Sequence, residues 1–179
     1  METKRDKKRV IYKQMCSPWT ITCGKENPVS IGCEYYVLED GEVATVFTPT
    51  KFHEGQLGIM HGGLSSTVQD ELMGRAVLEH YSDNKGADEF VSRCVTAEMT
   101  VKYKKPILIG SKIYGYGRVY NKEGRRTYAT SELISEEGEI LSTAEAVFVE
   151  IKVPAKDLTD NITSDNNHQK LNENDPKEL

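Results

Sequence analysis

Three features of the chain predict an α+β fold in which an antiparallel sheet wraps one long helix. Leu64, Val68, Leu72 and Val77, with Ala76 nearby, recur at helical spacing through residues 58–77 and give one amphipathic helix. Ahead of it, residues 29–38 and 43–48 are β-rich runs joined at Asp40-Gly41, a hairpin signal. After it, Val95, Ala97, Met99, Val101 and Tyr103 alternate with Thr96, Glu98, Thr100 and Lys102, as a half-buried strand does. Residues 107–120, 126–134 and 140–153 follow, separated by Lys122-Glu123-Gly124 and Glu136-Glu137-Gly138, so the second half reads as a meander of about four strands. Such a sheet has one face to cover, and a single apolar helix can cover it.

The length of 179 residues suits one domain with polar ends. Residues 1–19 form a basic arm and lead-in, residues 20–153 the folded domain, and residues 154–179 a tail. Lys4, Arg5, Lys7, Lys8 and Arg9 read as solvated charge on a mobile arm. The tail is rich in Asp, Asn, Lys and Glu and lacks the apolar content to offset ordering entropy, so disorder is expected there. Asn161-Ile162-Thr163 fits a glycosylation sequon, with no other sign of secretion beside it.

A formal charge of −5 argues against nucleic acid as the main partner. No apolar run reaches the roughly 20 residues that span a bilayer, and the basic start has no signal-like apolar segment behind it, so a cytoplasmic protein away from membranes is expected. Cys16, Cys23, Cys33 and Cys94 do not repeat a C-x2-C unit, and no His pair stands at ligand spacing. In a reducing cytosol they read as small buried apolar residues, and no metal is expected.

Chemistry concentrates at the start of the helix. Gly62 and Gly63 stand where a helix N-terminus leaves backbone N–H groups without partners, and such an end favours an anionic oxygen. Asp70 lies eight residues past Gly62. Along one helix that is roughly 12 Å, too far for both groups to reach one carbonyl. If both act together they come from two antiparallel helices across a two-fold axis, which makes the expected unit a dimer with two sites. Gly74 would let two helices approach, although a mid-helix glycine costs about 1 kcal/mol relative to alanine.

His61-Gly62-Gly63, followed by Asp70 nine residues after the histidine, resembles the signature of hotdog-fold acyl-CoA thioesterases of the phenylacetate-pathway type. The resemblance covers about residues 20–152. It implies the hotdog fold and hydrolysis of an acyl-CoA thioester to a carboxylic acid and CoA, with the CoA thioester as substrate and no cofactor. A homodimer, or a tetramer built from two dimers, is implied with it. The Gly62 amide would polarise the thioester carbonyl, and Asp70 would act as general base or nucleophile, both of which stay open.

By position, Thr96 is similar to a hydroxyl residue that orients the attacking water in some relatives; as a strand residue it is also simply a good β-former. His61, Gly63 and Glu54 would line the substrate side, with His61 a structural group bonding the loop. Glu54 stands where a glutamine is usual in a His-Gln-Gly run, and an ionised carboxylate cannot donate to a thioester oxygen. Cys23-Gly24-Lys25-Glu26-Asn27-Pro28 resembles the Cys-Gly-x-x-Asn-Pro entry of one bacterial branch and reads as a structural lead-in.

Glu71 is the competing acid. Helix phase groups it with Leu64, Val68 and Leu72, whereas Asp70 falls with Thr67 and Gly74. Lys102, Lys104, Lys105, Arg125 and Arg126 serve equally as partners for CoA phosphates or as solvated charges. The alternative function is a non-catalytic acyl-CoA or small-ligand binding protein on the same fold. A hotdog dehydratase or hydratase is disfavoured, because no His followed by an apolar-Pro-Gly run and no Asp-x-x-x-x-His pairing is present.

Overall fold

The computed structural model describes residues 5–81, 90–154 and 168–179. Residues 82–89 and the sequon at Asn161 fall outside the described residues, as do residues 155–167 of the expected tail.

One antiparallel sheet dominates. In chain order its strands are β1 (Val10–Gln14), β2 (Glu34–Leu38) and β3 (Val43–Phe47), then β6 (Phe90–Tyr103), β7 (Ile113–Glu123), β8 (Arg126–Ser135), β9 (Ile140–Pro154) and β10 (His168–Gln169). A small separate hairpin pairs β4 (Glu54–Gln56) with β5 (Ile59–Met60) and leads into the one α-helix among the described residues, α1 (Gly62–Tyr81). The large sheet runs β10-β1-β2-β3-β7-β8-β9-β6. Its second half is not a simple meander. β6 lies beyond β9, in register from Phe90 opposite Pro154 to Tyr103 opposite Ser142, and the chain then crosses to place β7 beside β3. Alternation predicts that a strand exists, not which neighbour it takes.

The faces follow the period of two along each strand. Tyr35, Val37, Val43, Phe47, Ile113 and Leu133 point to the helix side and bury Val68, Leu72 and Ala76 of α1. Further along α1, Met73 and Val77 pack on Ala129, Ala144, Ala146 and Phe148. The helix seats closely because β7 presents glycine beneath it. A Cβ built on Gly117 would lie 2.8 Å from the Leu72 carbonyl oxygen.

The opposite face is also covered. Tyr36, Leu38, Ala44, Tyr116 and Ile134 form a second buried cluster with Val10, and Leu171 and Leu179 pack against it. Residues 168–179 are therefore placed against the sheet, contrary to the disordered tail expected for that stretch. Two leucines and one buried carboxylate hold them, too few apolar positions to register in a composition argument. Asp175 accepts hydrogen bonds from Lys13 Nζ at 3.0 Å, Tyr36 Oη at 3.1 Å and the Asn172 N–H at 2.9 Å. Burial opposes the charge on Asp175, but these donors outweigh it and hold the carboxyl below the usual range.

The basic arm is likewise pinned over residues 5–9: Arg5 pairs with Glu42 and Glu132, Lys8 with Asp40 and Glu42, and Lys8 and Leu179 exchange backbone hydrogen bonds. Residues 10–14 of the expected lead-in form β1, a further difference. The cysteine reading also changes. Cys16 and Cys23 form a disulfide with their Cα atoms 5.9 Å apart, whereas Cys33 is a free buried thiol that burial pushes up to about 12. Only the fold brings Cys16 and Cys23 together; their spacing matches no metal or redox motif.

Candidate active site

The helix mouth is built by the β4–β5 hairpin. Gly58, at φ 76°, turns the hairpin, and the Glu54 carboxylate accepts the Gly58 N–H at 2.9 Å. That bond turns Glu54 into its own hairpin. Two residues on, Gln56 lines the cavity described below. The structure thus does not bring Glu54 to the cavity.

His53 O accepts the His61 N–H at 2.8 Å and fixes the entry to α1. His61 is exposed, and its Nδ1 accepts the Gly63 N–H at 2.9 Å, which makes the imidazole a cap for the first helical turn. Leu64 and Ser65 both donate to His61 O. These bonds leave the Gly62 N–H without an acceptor among the described residues.

Asp70 is half-exposed in the middle of α1, and Thr96 on β6 donates its hydroxyl proton to Asp70 Oδ1 at 2.7 Å. The two residues are 26 apart in sequence and meet only because β6 runs alongside the helix. Glu71 is placed differently. Its carboxylate accepts from Arg75 Nε at 2.9 Å and Nη2 at 2.8 Å. Arg75 is buried and anchored to Gln14 Oε1, Met15 O and both sulfurs of the disulfide, with its guanidinium 4.2 Å from the Tyr35 ring centroid. Glu71 is thus a charge partner in the packing between helix and N-terminal segment. Asp70 is the acid turned outward.

A cavity of about 550 Å³ opens at the helix mouth, bordered by Gln56, Met60, His61, Gly62, Tyr103 and Ser142. Lys104 and Lys105 stand on its wall. Lys105 is ion-paired with Glu139, whereas the Lys104 ammonium has no carboxylate partner among the described residues. Arg126 pairs across the sheet with Val149, seven residues along β9 from the cavity residue Ser142. At the rise of a strand this is about 23 Å away. Among the described residues no group of three or more His, Cys, Asp or Glu side chains is placed to hold a metal ion. No described helix is long and apolar enough to cross a membrane.

Sequence reasoning left out Arg75, Ser66 and Tyr103. The i,i+4 spacing of Glu71 and Arg75 was a readable signal for the first. Nothing local marks Tyr103, whose hydroxyl lies 3.2 Å from the Gly62 carbonyl oxygen across 41 residues of chain.

Comparison with known proteins adds three findings. Residues 57–142 match the family described as the thioesterase superfamily. The chain is 28% identical over 120 residues to acyl-coenzyme A thioesterase THEM4 of Xenopus laevis, a match that covers 66% of this chain and 50% of that protein. The chain thus spans about half the length of that curated relative.

Among solved structures, a thioesterase superfamily protein aligns with a TM-score of 0.64 at 23% identity, covering 74% of this chain and 60% of the other. The Escherichia coli PaaI protein from the phenylacetic acid degradation operon aligns at 0.58 and 13%, covering 68% and 80%. A hypothetical thioesterase from Streptococcus pneumoniae, solved with coenzyme A, aligns at 0.58 and 16%, covering 69% and 91%. At these identities the structural matches establish the fold, a hotdog sheet around one helix.

Proposed function

For a chain whose residues 57–142 match the thioesterase superfamily, we propose hydrolysis of an acyl-CoA thioester to a carboxylic acid and CoA. The observation that carries this reading is the pairing of Asp70 with Thr96 on the outward face of α1, while Glu71 is engaged by Arg75 on the inward face. An outward acid held by one hydroxyl keeps an oxygen available for a reacting partner. An acid clamped by a buried guanidinium does not.

In the proposed reaction a water gives its proton to Asp70 as its oxygen attacks the thioester carbonyl. Negative charge then gathers on the carbonyl oxygen, and the Gly62 N–H donates to it. Collapse of the tetrahedral species breaks the C–S bond and expels the CoA thiolate, which takes up a proton. Direct attack by Asp70, followed by hydrolysis of the resulting anhydride, uses the same groups. If water opens that anhydride at the Asp70 carbonyl, a single turnover in ¹⁸O-labelled water separates the two routes, because the first product then carries unlabelled protein oxygen.

Gly62 and Asp70 of one helix are too far apart to share a carbonyl. The reading therefore pairs the Gly62 of one copy with the Asp70 of another. The edge strand β6 supports this: it is 14 residues long and has no partner on its outer side among the described residues. Strand-to-strand pairing there would extend the sheet across a two-fold axis. The Lys104 ammonium is the cation we assign to a CoA phosphate, since Lys105 is already paired. The matched structure solved with coenzyme A and the matched acyl-CoA thioesterase agree with this substrate class.

The test is free-thiol release from short, medium, long and aromatic acyl-CoAs, with Asp70→Asn and Glu71→Gln in parallel. Asp70→Asn should lower kcat at least about 100-fold, the scale of losing a catalytic base, while Glu71→Gln should retain most activity at 25 °C. Equal activity of wild type and Asp70→Asn would refute the assignment.

A further inference from the structure

Resting on that hydrolytic reading, we infer that Tyr103 is a positioning residue that fixes the Gly62 donor by holding the carbonyl of the same glycine.

A preorganised oxyanion donor must keep its direction before the charge develops. Two consecutive glycines are the least suited residues to do so, because neither has a Cβ to restrict its backbone. The structure supplies the restriction from outside. The peptide unit joining Gly62 to Gly63 is held at both ends, its N–H by His61 Nδ1 at 2.9 Å and its oxygen by side-chain hydroxyls. Ser65 and Ser66 each place Oγ 2.9 Å from Gly62 O. Both serines belong to the first turns of α1 and move with it, so they cannot hold the mouth relative to the rest of the fold.

Tyr103 is the exception. It is the last residue of β6, its hydroxyl donates to Gly62 O at 3.2 Å, and with that proton committed it accepts the Ser66 hydroxyl proton. Its ring lies against the glycine: a Cβ on Gly62 would sit 3.6 Å from Cε1 and Cζ. The same ring borders the cavity. The Gly62 N–H belongs to the 61–62 peptide, whose oxygen accepts from Leu64 and Ser65 within α1. With the 62–63 plane tied to β6 as well, rotation about Gly62 is curtailed and its N–H keeps one direction at the cavity edge. β6 therefore does two things, orienting Asp70 through Thr96 and the donor glycine through Tyr103.

The experiment uses the full chain with the best substrate of the panel. Tyr103→Phe keeps the ring and removes the hydroxyl. It should lower kcat about tenfold, a fraction of the roughly 100-fold that a 1 Å misplacement costs, with KM changed less than about twofold because the ring wall remains. Ser66→Ala should lower kcat less. The double variant should be no slower than Tyr103→Phe by more than about twofold, since Ser66 acts on Gly62 O through the Tyr103 hydroxyl.

A readout independent of activity is the Gly62 amide in ¹H–¹⁵N spectra, which should shift and broaden in Tyr103→Phe while Tm stays within about 2 °C, as expected for a change at a half-exposed edge. A kcat within twofold of wild type, or a rise in KM alone, overturns the inference, as does an unmoved Gly62 amide. If Tyr103→Phe fails to fold, an unmoved Gly62 amide in Ser66→Ala overturns it instead. Wild type that releases no thiol from any substrate would sink the hydrolytic reading, and the Gly62 amide would then decide the positioning alone.

Discussion

Gly117→Ala puts the seating of the helix to a direct test. The new methyl carbon would stand 2.8 Å from the Leu72 carbonyl oxygen, 2.9 Å from its carbonyl carbon and 3.2 Å from its Cβ. Ordinary contact needs about 3.4 Å or more, so helix and strand must part by about 0.6 Å. The obstacle is mainly helix backbone, which cannot turn aside as a side-chain end can. Leu72 is fully buried between Val68 and Ala76, so α1 cannot yield at one residue without lifting its neighbours from the sheet.

Overpacking of this kind costs about 1–3 kcal/mol, and we place Gly117→Ala in the upper half. At about 2–4 °C per kcal/mol for a chain of this size, Tm should fall by about 4–12 °C. Gly115→Ala is the comparison, because the atoms nearest its methyl would be the side-chain ends Leu72 Cδ1, Leu133 Cδ2 and Thr45 Cγ2. It should cost about half as much, since methyl groups can rotate away at off-rotamer expense. Thermal unfolding followed by circular dichroism reads both. A Gly117→Ala protein within 2 °C of wild type, or one more stable than Gly115→Ala, would falsify the claim that close backbone approach sets the helix position.

Two further outcomes are expected of the N- and C-terminal segments. Closing the short loop between Cys16 and Cys23 should contribute about 2–2.5 kcal/mol on chain-entropy grounds; a thiol reductant should therefore lower Tm, and an unchanged Tm with and without dithiothreitol refutes it. Asp175→Asn should cost about 1–3 kcal/mol, as loss of charge-assisted hydrogen bonds does, and should speed hydrogen exchange over residues 168–179. The pH dependence follows from the lowered carboxyl. Its contribution is complete above the ordinary aspartate value near 4 and disappears as pH falls through the lower folded value, so exchange in this segment should rise in wild type only in strong acid. Lys13 is shifted the opposite way: burial opposes its charge, but Glu34 and Asp175 outweigh that and raise it. Its share is complete below the ordinary lysine value and lost as pH rises through the raised one. Exchange already fast at pH 7 would refute the latch.

The helix and the strands were legible because their periods are written locally. Val68, Leu72 and Ala76 declare one face, and Asp40-Gly41 declares one hairpin. The glycine mouth and the acid nine residues after His61 were legible as a pattern, as was the helix phase that separates Asp70 from Glu71. Thr96 was singled out through the family resemblance, and its bond to Asp70 awaited the fold. Partners set by tertiary packing were not legible. Arg75 gathers Gln14, Met15, Cys16 and Cys23 onto the inward side of α1, and none of these lies within 50 residues of it in sequence. Tyr103 reads as one alternating strand residue until β6 is laid beside the helix mouth. The C-terminal segment misled for a related reason: Leu171, Leu179 and Asp175 are few, and their weight comes from the tyrosine-lined face they meet.

The two edges of the sheet differ, and the difference constrains how copies of the chain can join. One edge ends in β10, a two-residue strand, and the other in the 14-residue β6. If both edges were long and open, one copy's first edge could add to the next copy's last edge, and the rule would repeat without end. With one edge curtailed, that head-to-tail addition has almost no ladder to form. Like edge meeting like edge consumes the one extended open edge among the described residues on both partners at once. On the proposed pairing through β6, the assembly would stop by itself and not grow into a fibre.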